Sequence, residues 1–147
     1  MYKLLITPLA LASLLAFPLA LAAEDDTRVA IDMPEMMRTH MLSNMRDHLT
    51  ALHEIQNHLA AGEYDAAAEV AEKRLGMSSL GTHGASHMAG FMPKGMQETG
   101  TAMHQAASRF AVISQETAVT RELPRALGAL SGVTAQCVAC HAAYRLK

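Results

Sequence analysis

Residues 127–147 read LGALSGVTAQCVACHAAYRLK and hold both cysteines of the chain, in the order Cys137-Val138-Ala139-Cys140-His141. The stretch is rich in alanine and poor in β-branched residues, which favours helix. Leu127, Leu130, Thr134, Cys137, His141 and Tyr144 recur at alternating steps of three and four, the spacing of one helix face. A helix is therefore predicted over 121–146, with Thr120 as N-cap, Pro124 in the first turn and the cysteine motif on its inward stripe. C-x-x-C-H is the attachment signature of a c-type haem. Each sulfur can add to one vinyl group as a thioether, and the adjacent histidine can bind the iron from one face. A zinc site would need four ligands, and there is no second cysteine pair. A thioredoxin-like redox pair would need a strand–helix context that this segment lacks.

Working outward, the same periodicity appears three more times. Met96, Met103, Phe110 and Thr117 are seven apart, with Ala106, Ala107 and Ile113 between them; they predict a helix over 94–117. A first helix over 34–61 carries the stripe Met41, Met45, His48, Leu52, Ile55, Leu59. Asp32 suits its N-cap, Pro34 its first turn and Gly62 the position past its end. A second helix over 65–75 turns Ala66, Val70 and Leu75 inward and stops at Gly76. Its connection to the first is short, so the two should be antiparallel neighbours. Residues 77–93 hold three glycines, with Gly76 just before them, and read as a long loop. No segment reads as a strand. The fold class expected is all-α: an antiparallel four-helix bundle with covalent haem on the C-terminal helix.

The N-terminus adds a compartment. Lys3 precedes an apolar run from Leu4 to Leu21, interrupted by Pro8 and Pro18 and closed by Ala20-Leu21-Ala22. Residues 1–22 therefore read as a secretory signal peptide, with no stable membrane insertion after its removal, and residues 23–147 as one periplasmic domain. The formal net charge of −2, without a basic stripe, argues against nucleic acid as a partner. Trp is absent and aromatic residues are 4% of the chain, so a buried haem would supply apolar bulk that the side chains lack. No Ser–His–Asp set, carboxylate pair or phosphate loop stands out, and the chain is not expected to be an enzyme.

The segment Cys137 to Arg145 matches C-x-x-C-H-x-x-[YF]-R, and the chain resembles the class II c-type cytochromes, the cytochrome c-prime and c-556-like group. The resemblance covers the architecture of the whole mature chain and is sharpest at this C-terminal motif. It implies one covalent haem c held by Cys137 and Cys140, with His141 on the iron. In that group the opposite axial position lies on the first helix, and counting back from Gly62 reaches Met45 to within one residue. Met41 and His48 share the stripe and are the neighbouring candidates. A methionine there implies a six-coordinate, low-spin electron carrier serving periplasmic redox proteins through transient contacts. An open position implies a five-coordinate protein that binds NO or CO. Arg145 is expected near the haem edge and a propionate, or as a cation at a helix C-terminus. Dimerisation is common in the group, with the outer faces of the first two helices as the surfaces to test. His83, His87, Met88, Met92 and Met96 surround the loop, where imidazole and thioether could bind copper or simply cover the bundle end. His40, His53, His58 and His104 read as surface or partly buried positions.

Overall fold

The computed structural model describes residues 26–147, so the signal-peptide reading of residues 1–22 lies outside the described residues. The described chain is mostly helical. Helix α1 runs Glu35–Ala61 and closes at Gly62, whose φ of 75° lets its N–H reach the carbonyls of His58 and Leu59. Its start corrects the expectation for Asp32. The flanking residue is Pro34, no side chain caps the helix, and the fixed φ of Pro34 does the aligning. Helix α2, Tyr64–Arg74, follows directly. Helix α4, Lys94–Thr120, runs three residues past the predicted end and stops at Arg121 in the left-handed region, φ 63°. Thr120 therefore closes α4 and does not cap α5, which spans Leu123–Ala143 after Glu122.

Two expectations change. The predicted loop contains a 3₁₀ turn, Met77–Ser79, and a short helix α3, Ala85–Ala89, so the described residues hold five α-helices and not four. Gly84, at φ 64°, reverses the chain between them. The predicted last helix also ends early. Tyr144 turns to an extended backbone, φ −130° and ψ 150°, and Tyr144–Leu146 forms strand β2. It pairs in parallel with β1, Val29–Ile31, in the register Val29 with Tyr144 and Ile31 with Leu146. Lys147 N–H donates to Ile31 O at 3.1 Å and Arg38 Nε to Lys147 O at 2.7 Å, so the final residues find their partners outside α5.

The helices pack in sequence order, α1 on α2, α2 on α4 and α4 on α5. Alanines dominate these seams. Ala51, Ala67, Ala107 and Ala126 are fully buried and let the backbones approach around Phe110, also fully buried. Ser114 Oγ donates to Tyr64 O at 2.8 Å and ties α4 to the start of α2. Arg74, at the end of α2, pairs with Asp47 Oδ1 at 2.5 Å and Glu54 Oε2 at 2.7 Å on α1. A second, smaller core joins Ile31, Met33, Met41 and Met88, with Met37, Met45, Met92, Met96, Tyr144 and Leu146 packed against it.

Candidate functional site

Helix α5 presents Ala126, Leu130 and Val133 to α4, and this stripe stops where the cysteine motif begins. Leu127, expected inward, is 48% exposed. The stripe is displaced by one position because small Ala126 fits the close α4–α5 contact better than Leu127. Cys137 is half-buried against the main core and its Sγ lies 3.6 Å from Val133 O. Cys140 is half-buried, Val138 is 68% exposed and His141 is exposed. Both cysteines are free thiols. Burial raises the pKa of each, and the neighbouring Cys137 raises that of Cys140 further, so both stay protonated at neutral pH.

The surface of α5 is unusual for a water-exposed helix. It is long and apolar enough to cross a membrane by length and composition, yet only 17% of that apolar window is buried. Its large exposed apolar side chains are Leu127 and Val138, set among small residues. The second core begins at the end of the motif. Tyr144, which follows the cysteine motif in the chain, packs on the same methionine-rich cluster as Met45 and Met41. Gly95 at the start of α4 allows this approach, since a Cβ there would meet the Tyr144 hydroxyl at 2.6 Å. Among the seven methionines of this cluster, Met41 is buried and Met45 half-buried.

Arg145 departs from its expected position. It lies on β2 and not on the helical face of His141, because the backbone has already become extended. Its Nε stands 3.1 Å from Asp26 Oδ2, an ion pair without hydrogen-bond alignment. Asp26 also pairs with Arg28 at 2.8 Å, and Arg28 Nη1 reaches His141 O at 3.4 Å. The segment before β1 is thereby fastened to the end of the motif.

A third grouping was not visible in the sequence. His48 of α1, His83 before α3 and His104 of α4 are buried together, with ring centroids 4.8, 5.5 and 6.0 Å apart. His104, expected at a surface or partly buried position, is buried. Its Nδ1 lies 2.7 Å from Leu75 O, an acceptor only, so Nδ1 carries the proton and Nε2 keeps its lone pair. Ser79 Oγ donates to Gly76 O at 2.7 Å and lies 3.4 Å from Nδ1 of both His83 and His104. With its proton committed to Gly76, this oxygen faces both rings as an acceptor, which sets the same tautomer in His83. His48 Nε2 is buried without a hydrogen-bond partner. Burial is the largest cause lowering the pKa of all three, that of His48 to about 4, so the rings are neutral at pH 7. His104 lies on the face of α4 that also buries Ala107, Ala111 and Ser114 at steps of three and four, the one local signal that it points inward.

Of the sequence-derived site residues, Cys137, Cys140 and His141 share one end of α5 and Met45 shares a cluster with the adjacent Tyr144, whereas Arg145 is turned to the chain's N-terminal segment. Two free thiols, an exposed imidazole beside them, an uncovered apolar helix and a thioether-rich cluster are residues that fit a covalently held haem. Comparison with family models, with curated proteins and with solved structures finds no match for the chain.

Proposed function

We propose that this chain is a periplasmic c-type cytochrome of the class II kind, an antiparallel four-helix bundle of α1, α2, α4 and α5 that transfers single electrons and catalyses no reaction of its own. The observation that carries the reading is Cys137-Val138-Ala139-Cys140-His141 at the end of an apolar helix most of whose surface the protein leaves uncovered. In this reading Cys137 and Cys140 would hold haem c through thioethers, and His141 and Met45 would bind its iron. When bound, the haem supplies one-electron chemistry between Fe(III) and Fe(II). The chain's own contribution is environment. The thioether of Met45 would favour the reduced state, and the apolar cluster around it would exclude water there. The exposed surface of α5 supports haem as its cover over a lipid bilayer, because the motif and its half-buried thiols lie on the same helix. Partners are other periplasmic redox proteins that meet the haem edge briefly through a small interface.

The test is spectroscopic. The exported protein should show a covalent haem and a low-spin spectrum in both oxidation states. Met45→Ala should convert it to high spin, while Met41→Ala should leave it low spin. An unchanged spectrum in Met45→Ala rejects the ligand. A high-spin native protein that binds CO rapidly at neutral pH would move the reading to a gas-binding protein. Absence of any covalent haem rejects the whole reading.

A further inference from the structure

We propose that His48, His83 and His104 form a second metal site, separate from the haem motif, that binds one Cu(I) ion through their three Nε2 atoms. The rings come from α1, the segment before α3 and α4, far apart in the chain, yet they lie against one another in the interior, one pair edge-on and two tilted. Three imidazoles around one ion at about 2.0 Å put their centroids roughly 5–5.5 Å apart. The observed separations of 4.8, 5.5 and 6.0 Å bracket that value. Among the described residues no three histidine, cysteine or carboxylate donors stand grouped as they would around a bound ion, so closing the trio requires the rings to turn about their side-chain torsions.

Two features say that the trio is more than packing. The first is the pattern of the other nitrogens. Nδ1 of His104 is committed to Leu75 O, and Nδ1 of His83 faces the acceptor Ser79 Oγ. Metal-binding histidines are held in this way, with the remote N–H on a carbonyl or oxygen so that the near nitrogen keeps its lone pair. The second is His48 Nε2, a buried polar atom with no partner. Such an atom is costly to bury unless something satisfies it.

Charge selects the ion. No carboxylate is hydrogen-bonded to the rings, and the nearest, Asp47, is already paired with Arg74. A neutral, buried ligand set carries a monovalent ion at far less cost than a divalent one. Imidazole and thioether both suit copper, and the methionine-rich cluster containing Met41 and Met45 lies along the same α1 stripe.

The experiment uses the full, haem-loaded exported protein under anaerobic, reducing conditions, with Cu(I) supplied against a competing chelator. One copper per chain is expected after desalting, bound at least about tenfold more weakly in His48→Gln and His83→Gln. His87→Ala, at an exposed position of α3, should bind as the native protein does. Met45→Ala should keep its copper while its haem spectrum changes, which separates this site from the haem reading. No copper uptake, equal uptake in the histidine variants, or preference for Zn(II) over Cu(I) overturns the proposal. If the variants fail to fold, X-ray absorption of the native copper-loaded protein decides. Three nitrogen neighbours support the site, and sulfur neighbours alone overturn it.

Discussion

Ser79 is almost fully buried, and its hydroxyl serves three groups from two elements: Gly76 O, His83 Nδ1 and His104 Nδ1. Ser79→Ala would leave His83 Nδ1 without a partner, a loss of about 1–3 kcal/mol, whereas Gly76 O keeps the Ser79 N–H and His104 Nδ1 keeps Leu75 O. Urea unfolding should therefore show a stability lower by roughly that amount with an unchanged m-value. Equal stability would mean that the hydroxyl is dispensable. Such an arrangement is hard to read in advance. Ser79 stood in a stretch that looked like loop, and the histidines it joins are numbered 83 and 104, with His48 packed against them. Periodicity reports which way a side chain points on its own helix, and it said so for His48. It is silent on which loop residue will close over that side chain. The cysteine motif was legible because its spacing is itself the chemistry, and Met45 because it lies on a long, regular stripe. Arg145 was misplaced because its position rested on a helix that ends two residues earlier.

At the scale of the element, helix interiors followed the apolar period and helix ends did not follow the expected caps. Asp32 and Thr120 are both good capping residues by composition, yet α1 starts after Pro34 and α5 after Glu122, without a side-chain cap in either case. Packing on alanine seams and fixed proline geometry outweigh a cap worth about 1 kcal/mol. The two short strands were invisible for a related reason. Tyr144, Arg145 and Leu146 continue the helical period, and only pairing with Val29–Ile31 makes them extended. The displaced stripe of α5 yields a direct test. Leu130 is 5% exposed and Leu127 48% exposed. Leu130→Ala should cost about 2–5 kcal/mol, whereas Leu127→Ala should stay within about 0.5 kcal/mol. Comparable losses at both positions in denaturant unfolding would favour the stripe expected from sequence over the one observed.

For the whole molecule, the three buried imidazoles make stability depend on pH in a definite direction. Desolvation, aided by the mutual repulsion that two charged rings would feel, lowers the pKa of His48 to about 4, and burial lowers those of His83 and His104. An unfolded histidine titrates near 6.5. The unfolded chain therefore binds more protons than the native protein as soon as the pH drops below that value, and stability falls with it. The window opens near pH 6.5 and, for His48, closes near pH 4, with about 1.4 kcal/mol lost per pH unit for one fully displaced group. The other charges facing the trio do not offset this. Asp47 is held below its usual range first by the hydrogen bond from Arg74, so it stays ionised throughout and its own contribution is lost only in more acid solution. Its carboxylate raises the His48 pKa, but less than burial and the neighbouring rings lower it. Metal-free protein at pH 5 should thus be less stable than at pH 7.5 by about 2 kcal/mol from His48 alone, measured by urea unfolding at both pH values. His48→Phe fills the same buried space without a titrating ring and should flatten that slope. A slope equal to the native one in this variant, or equal native stability at the two pH values, would show that the trio is not held neutral by the fold.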